Sequence, residues 1–169
     1  MLPFFFIEGN HDQYTGVEAI KNYLKSIGVN VLSNEITHWK ELQIIGLNHM
    51  AADSNTNDIH ASSARATVQS VLSKLPIEAN KPTVLLHHGP SGIKYANQAG
   101  VNLYLAGHTH GGQMWPATFF AKLMFEYNRG LHDYNGTKIY VCQGTGTFGP
   151  PMRVGTNSEL AVLQLNPKD

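Results

Sequence analysis

The chain has one cysteine, Cys142, which excludes an internal disulfide and any zinc site built from cysteines, and fits a reducing compartment. No apolar run approaches the roughly 18 residues that a bilayer-spanning helix needs. Charge is scarce as well. Asp, Glu, Lys and Arg make up 14% of the residues and balance to +0, so no basic patch is present to bind nucleic acid or to hold an anionic membrane by charge alone. Repeats and low-complexity tracts are missing, and so is any Gly-Asp pair. The apolar start Met1–Ile7 lacks the basic leader and small-residue cleavage site of a signal peptide and reads as a buried strand. A length of 169 residues suits one domain with a sizeable core.

What the chain does have is histidine next to glycine where short apolar runs end. Val101–Ala106 reads as a buried strand that delivers Gly107-His108-Thr109-His110-Gly111-Gly112 to a sheet edge. Two imidazoles at i and i+2 in a glycine frame read as a metal-binding turn. Leu2–Glu8 is a strand that empties into Gly9-Asn10-His11-Asp12, and Thr83–Leu86 one that empties into His87-His88-Gly89-Pro90. Side chains alternate along a strand, so His87 and His88 point to opposite faces and at most one of them is a ligand.

Between these runs lie helices. Thr15 and Glu18 form a capping-box pattern ahead of Val17, Ile20, Leu24 and Ile27, which is a core-facing stripe closed by Gly28, with Tyr23 as packing. Asp58 caps a second helix that runs to Leu75, and Ser91–Ala99 is a third. Val29–Leu32, Glu35–His38 and Leu42–Gly46 read as a small meander, with His38 and His49 as solvated or structural histidines. Asp58-Ile59-His60 reads as a helix start, not a ligand pair. Residues 114–127, rich in aromatics and methionine, read as a lid over the core, with a lipid-facing surface beside the site as the functional alternative. Lys138–Cys142 and Glu159–Leu165 complete the strands, and the glycine-rich loop between them lacks the helix and lysine of a phosphate-binding loop. Strand-helix-strand steps that each empty into histidines predict an α/β fold with its chemistry along one sheet edge.

An amide oxygen and several imidazoles suit zinc, manganese or iron better than calcium. No carboxylate is obvious among them, although two metals held roughly 4 Å apart need an anionic bridge. Gly9-Asn10-His11-Asp12, His88 ahead of Pro90, and Gly107-His108-Thr109-His110 resemble, in order, the last three motifs of the calcineurin-like metallophosphoesterases. The likeness continues through Gly111-Gly112-Gln113, Trp115-Pro116 and the segment from Gly144 to Arg153, and covers essentially the whole chain. Together these resemble a bacterial branch whose members often carry amino-terminal membrane segments.

The resemblance implies part of a β-sandwich flanked by helices. It implies two divalent metals, with Asn10, His88 and His108 as ligands of one and His110 of the other. It gives His11 the protonation of the leaving oxygen, with Asp12 orienting its ring. The reaction implied is hydrolysis of a phosphomonoester, phosphodiester or pyrophosphate by a metal-activated hydroxide, on a small molecule or a lipid precursor. The location implied is cytoplasmic or peripheral to the membrane, in a parent anchored by an amino-terminal segment. The family's opening motifs, Asp-x-His and Gly-Asp-x-x-Asp, do not precede Gly9. Residues 1–169 are therefore expected to be one incomplete domain lacking its amino-terminal strands. Two readings stay open: a phosphohydrolase, or an inactive remnant that binds a metal or a partner.

Overall fold

Apolar runs that stop at polar turns become the strands of one sheet, and the polar turns collect along its edge. The computed structural model describes residues 2–56 and 66–166. In chain order the elements are β1 (Phe5–Phe6), α1 (Asn10–Tyr14), α2 (Val17–Ser26), β2 (Asn30–Val31), β3 (Glu35–Trp39) and β4 (Leu42–Gly46). There follow α3 (Val68–Leu72), β5 (Thr83–Leu86), α4 (Ile93–Gln98), β6 (Leu103–Ala106), a 3-10 turn (His110–Gly112), α5 (Ala117–Met124), β7 (Gly130–Tyr134) and β8 (Thr137–Val141).

The main sheet has the order β3-β4-β5-β6-β8-β7. Its centre, β4 through β8, is parallel, and antiparallel hairpins close both sides. β1 and β2 pair in parallel as a separate ribbon. The mixed α/β architecture expected from the strand-helix-strand pattern is present.

Alternation along the strands gives the sheet two apolar faces. One carries Ile45, Leu85, Tyr104 and Ile139, all fully buried against Val68 and Leu72 of α3 and Ile93 and Ala96 of α4. Each such side chain contributes about 1.5–3 kcal/mol by leaving water. The other face carries Ile44, Val84, Leu86, Leu103 and Leu105, which floor an open groove of about 350 Å³. Leu2, Pro3 and Phe5 from one end of the chain and Leu163 and Leu165 from the other edge this groove.

Several expectations are corrected here. The Thr15–Glu18 capping box does not form. Gly9-Asn10-His11-Asp12 opens a one-turn helix, so Thr15 is its C-cap and gives its hydroxyl to the His11 carbonyl at 3.0 Å. α2 instead starts from Gly16 at φ +92°, a left-handed conformation that glycine adopts freely. Its stripe is shallow: Tyr23 and Ile27 are exposed, and the buried residue is Lys21, paired with Glu8 at 2.5 Å.

Glu159–Leu165 is not a strand. Its place beside β8 is taken by β7, turned back at Asn135-Gly136, a dipeptide that favours tight hairpins. β2 pairs with β1, so the meander shrinks to the β3–β4 hairpin. The cap expected at Asp58, together with Ile59 and His60, lies outside the described residues, where α3 is seen from Val68 behind a Thr67–Ser70 box. Of residues 114–127, Tyr127 packs against the core and Ala121 is buried, whereas Trp115, Phe119, Phe120, Leu123 and Met124 face solvent, so the stretch covers less of the core than expected. No helix among the described residues is long and apolar enough to cross a membrane.

Candidate functional site

Parallel pairing sets the carboxyl ends of β5 and β6 side by side. Past the end of β5 the ladder continues for one step, with His87 N–H donating to Leu105 O at 3.1 Å and Gly107 N–H to His88 O at 3.0 Å. His88 and His108 are thereby brought together. α1 closes the site from the β1 side. Its first turn is fixed by Asp12, whose carboxylate accepts from Gly9 N–H at 2.7 Å, and this places Asn10 in the interior. Gly9 itself leaves no room for a side chain, since a Cβ there would lie 2.9 Å from two ring atoms of His88.

Asn10, His88 and His108, distant in sequence, meet at one point. His88 Nε2 is 3.0 Å from Asn10 Oδ1 and 3.1 Å from His108 Nδ1. A neutral imidazole nitrogen holds either one proton or one lone pair. If protonated, it divides a single proton between two acceptors. If bare, it accepts from His108 and then faces the Asn10 oxygen lone pair to lone pair. A cation faced by all three donors removes this conflict, and donors about 3 Å apart suit ligands roughly 2 Å from one ion. The residues present thus fit a borderline divalent metal. Among the described residues, no group of three or more His, Cys, Asp or Glu side chains is placed to hold a metal by itself.

Burial lowers the proton affinity of His87 and His88. Desolvation, followed by the nearby His108 and His49 rings, lowers the His88 pKa to about 3. His87 is lowered to about 3 as well, by desolvation first and then by His49. On the opposite side of the strand from His88, the His87 ring bonds through Nδ1 to the Tyr104 hydroxyl at 2.8 Å, and that hydroxyl donates to Ser91 O at 2.7 Å. His87 is a framework residue. His49 is the neighbour that sequence reasoning missed: buried, with its ring centroid 5.5 Å from His88 and 5.6 Å from His108. An isolated histidine after a strand carries no spacing signal, so nothing local distinguishes it. Gln13 of α1 ties that loop in place by donating to His49 O at 3.1 Å and to Glu8 at 2.7 Å.

The remaining predicted residues make contacts of their own, and His110 lies close enough to His88 to lower its proton affinity. His110 turns Nδ1 toward Arg153 Nη2 at 3.4 Å, and the guanidinium also donates to the carbonyls of His110, Gln143, Gly144 and Gly146. Desolvation, then Arg153, then His11 lowers the affinity of His110 for a proton. His11 is exposed, with its ring 5.8 Å from Phe148 and 6.4 Å from Tyr14. The hydrogen bond that Asp12 makes is to the backbone of Gly9 and not to the His11 ring. His108 and His110 both adopt positive φ, +68° and +50°.

Residues 1–112 match the sequence model of the calcineurin-like phosphoesterases. The chain belongs to that family. The six-stranded sheet flanked by helices is consistent with the fold of the metallophosphoesterases. An uncharacterized metallophosphoesterase from Helicobacter pylori strain J99 is 34% identical over 98% of this chain and 43% of its own length. A transmembrane protein with metallophosphoesterase domain from Danio rerio is 34% identical over 95% of this chain and 38% of its own length. Phosphodiesterase YaeI of Escherichia coli is 31% identical, covering 96% of this chain and 58% of its own length. The chain thus spans less than half of the Helicobacter and Danio relatives. No solved structure matches it. Calcineurin-like phosphoesterases generally use divalent metals, and three of the four ligands suggested by the sequence motifs meet here.

Proposed function

We propose that this chain forms the metal-ligating and proton-donating side of a divalent-metal phosphohydrolase. The observation that carries the reading is the approach of Asn10 Oδ1 and His108 Nδ1 to the same ring nitrogen of His88, at 3.0 and 3.1 Å. In this reading Asn10, His88 and His108 hold one metal and His110 contributes to a second, positions that suit zinc, manganese or iron. When bound, the metals draw charge from the phosphoryl oxygens and make water acidic enough to attack near neutral pH.

The rest is the work of the chain. Low proton affinity at His88 leaves its lone pair available at neutral pH. As water oxygen bonds to phosphorus and the ester P–O bond breaks, His11 gives its proton to the leaving oxygen. The exposed position of His11 lets it reach a substrate from the solvent side. Asp12 acts on His11 through α1, whose first turn it holds, rather than through the ring. Arg153 steadies the His110 turn and leaves its charge beside the mouth. The relative from Escherichia coli is named a phosphodiesterase, and phosphodiesters are accordingly the first substrates to try, followed by monoesters and pyrophosphates.

His108→Ala is expected to lower bound manganese or zinc as well as turnover. His11→Ala is expected to leave metal content nearly unchanged and to slow turnover by about 10²–10⁴-fold, less for an aryl leaving group. Equal loss of metal in both variants would remove His11 from the proton-transfer role. The second reading is a remnant that binds metal without turning over. Metal bound at one per chain, with no release of the phenol from aryl phosphodiesters, would select it.

A further inference from the structure

α5 presents to solvent the residues that a surface helix ordinarily buries. Trp115, just ahead of it, is 73% exposed, and Phe119, Phe120, Leu123 and Met124 are 60%, 57%, 71% and 59% exposed. Ala121 is the residue of α5 that packs inward. A second segment extends the patch with Phe148 and Met152, both more than half exposed. The two segments are built together. Trp115 N–H donates to Val154 O at 2.9 Å, and the buried Gln113 amide donates to Phe148 O at 2.7 Å and to Pro150 O at 3.2 Å.

This patch rims the histidine site. Phe125, at the end of α5, lies 5.9 Å from the His108 ring, and Phe148 lies 5.8 Å from His11. Its exposed charges are Lys122 and Arg129 against the single carboxylate of Glu126. We propose that this surface docks on an anionic lipid bilayer, so that the site works on phosphoesters presented at that surface; the second half rests on the phosphohydrolase reading. Tryptophan, phenylalanine and leucine on a protruding helix, with cations among them, match the chemistry of the headgroup–acyl boundary. A bilayer brings phosphate groups to the histidine site.

The test uses the intact chain with Trp39→Phe, so that Trp115 is the reporting indole, and vesicles of phosphatidylglycerol or of phosphatidylcholine alone. Phosphatidylglycerol vesicles are expected to shift Trp115 emission to the blue and to carry the chain into the pellet, whereas phosphatidylcholine does so weakly. Phe119→Ser with Phe120→Ser should weaken pelleting by more than about tenfold, since two rings no longer leave water, while circular dichroism stays unchanged. Absence of pelleting, or pelleting untouched by the double substitution, overturns the proposal. A dimer that the same substitutions dissolve also overturns it, in favour of contact between copies. Vesicle binding is read without turnover, so a chain that pellets but hydrolyses nothing leaves the docking surface standing and removes only the phosphohydrolase reading.

Discussion

Replacing Gly9 by alanine tests how closely the helix start and the metal ligands are fitted. The backbone at Gly9, φ −103°, suits any residue, so alanine introduces no torsional strain, only a methyl group. That methyl would lie 2.9 Å from Cε1 and Nδ1 of His88 and 3.1 Å from Cγ, whereas relaxed contacts fall at about 3.5–4.0 Å. One partner has to retreat by about 0.6 Å or more. Gly9 is tied to Asp12, and His88 to Asn10 and His108, so the displacement falls on the contact that the metal requires. Overpacking of this kind costs about 1–3 kcal/mol of stability. If about 1.4 kcal/mol of it opposes the ligating position of His88, metal affinity drops about tenfold.

Calorimetric titration with zinc or manganese, beside urea unfolding, measures both numbers. Gly46→Ala is the control, because its Cβ would collide with Leu32 and with no histidine. It is expected to lose stability while the folded fraction binds metal as before. Unchanged metal affinity in Gly9→Ala, or an equal loss in Gly46→Ala, would refute the argument.

Two further outcomes follow from buried charge. Lys21→Met leaves Glu8 as an interior carboxylate with Gln13 for company, and is expected to cost about 3–5 kcal/mol in urea unfolding; a loss below about 1 kcal/mol would place the pair in the class of surface bridges. His87 and His88, held at about 3 in the fold, regain a value of about 6.5 when unfolded. The unfolded chain therefore binds protons that the folded one refuses, so metal-free stability is level above about pH 6.5 and falls as the pH drops toward about 3, by up to about 1.4 kcal/mol per unit for each ring. Urea midpoints taken down the acid range check this, and a midpoint that rises on acidification contradicts it.

Strands that carry their own apolar pattern are legible in the amino-acid sequence. Thr83–Leu86 and Leu42–Gly46 have the bounds expected, and the His108 turn and His88 arrive at one edge because parallel pairing leaves them no other place. Elsewhere a longer-range partner overrides the local signal. Thr15 and Glu18 have the letters of a capping box, but the helix turn opened at Asn10 takes Thr15 as its end. Leu160 and Val162 look like strand residues and are almost wholly exposed, while β7, lower in apolar character, wins its place through the tight turn at Asn135-Gly136. His49 is invisible to spacing, because its relation to His88 and His108 exists only after β4 and β5 have paired.

The positive φ of His108 and His110 sets the stability of the backbone against the rings it carries. An L-residue in the left-handed region is held there at a cost of about 1–2 kcal/mol that glycine avoids. This same loop already uses glycine at 107, 111 and 112, so the genetic means to remove that cost lie within a few codon changes. Glycine at 108 or 110 would relieve that cost and remove the ring together, so if the rings hold metal as proposed, such a variant gains stability in the metal-free state and loses the metal.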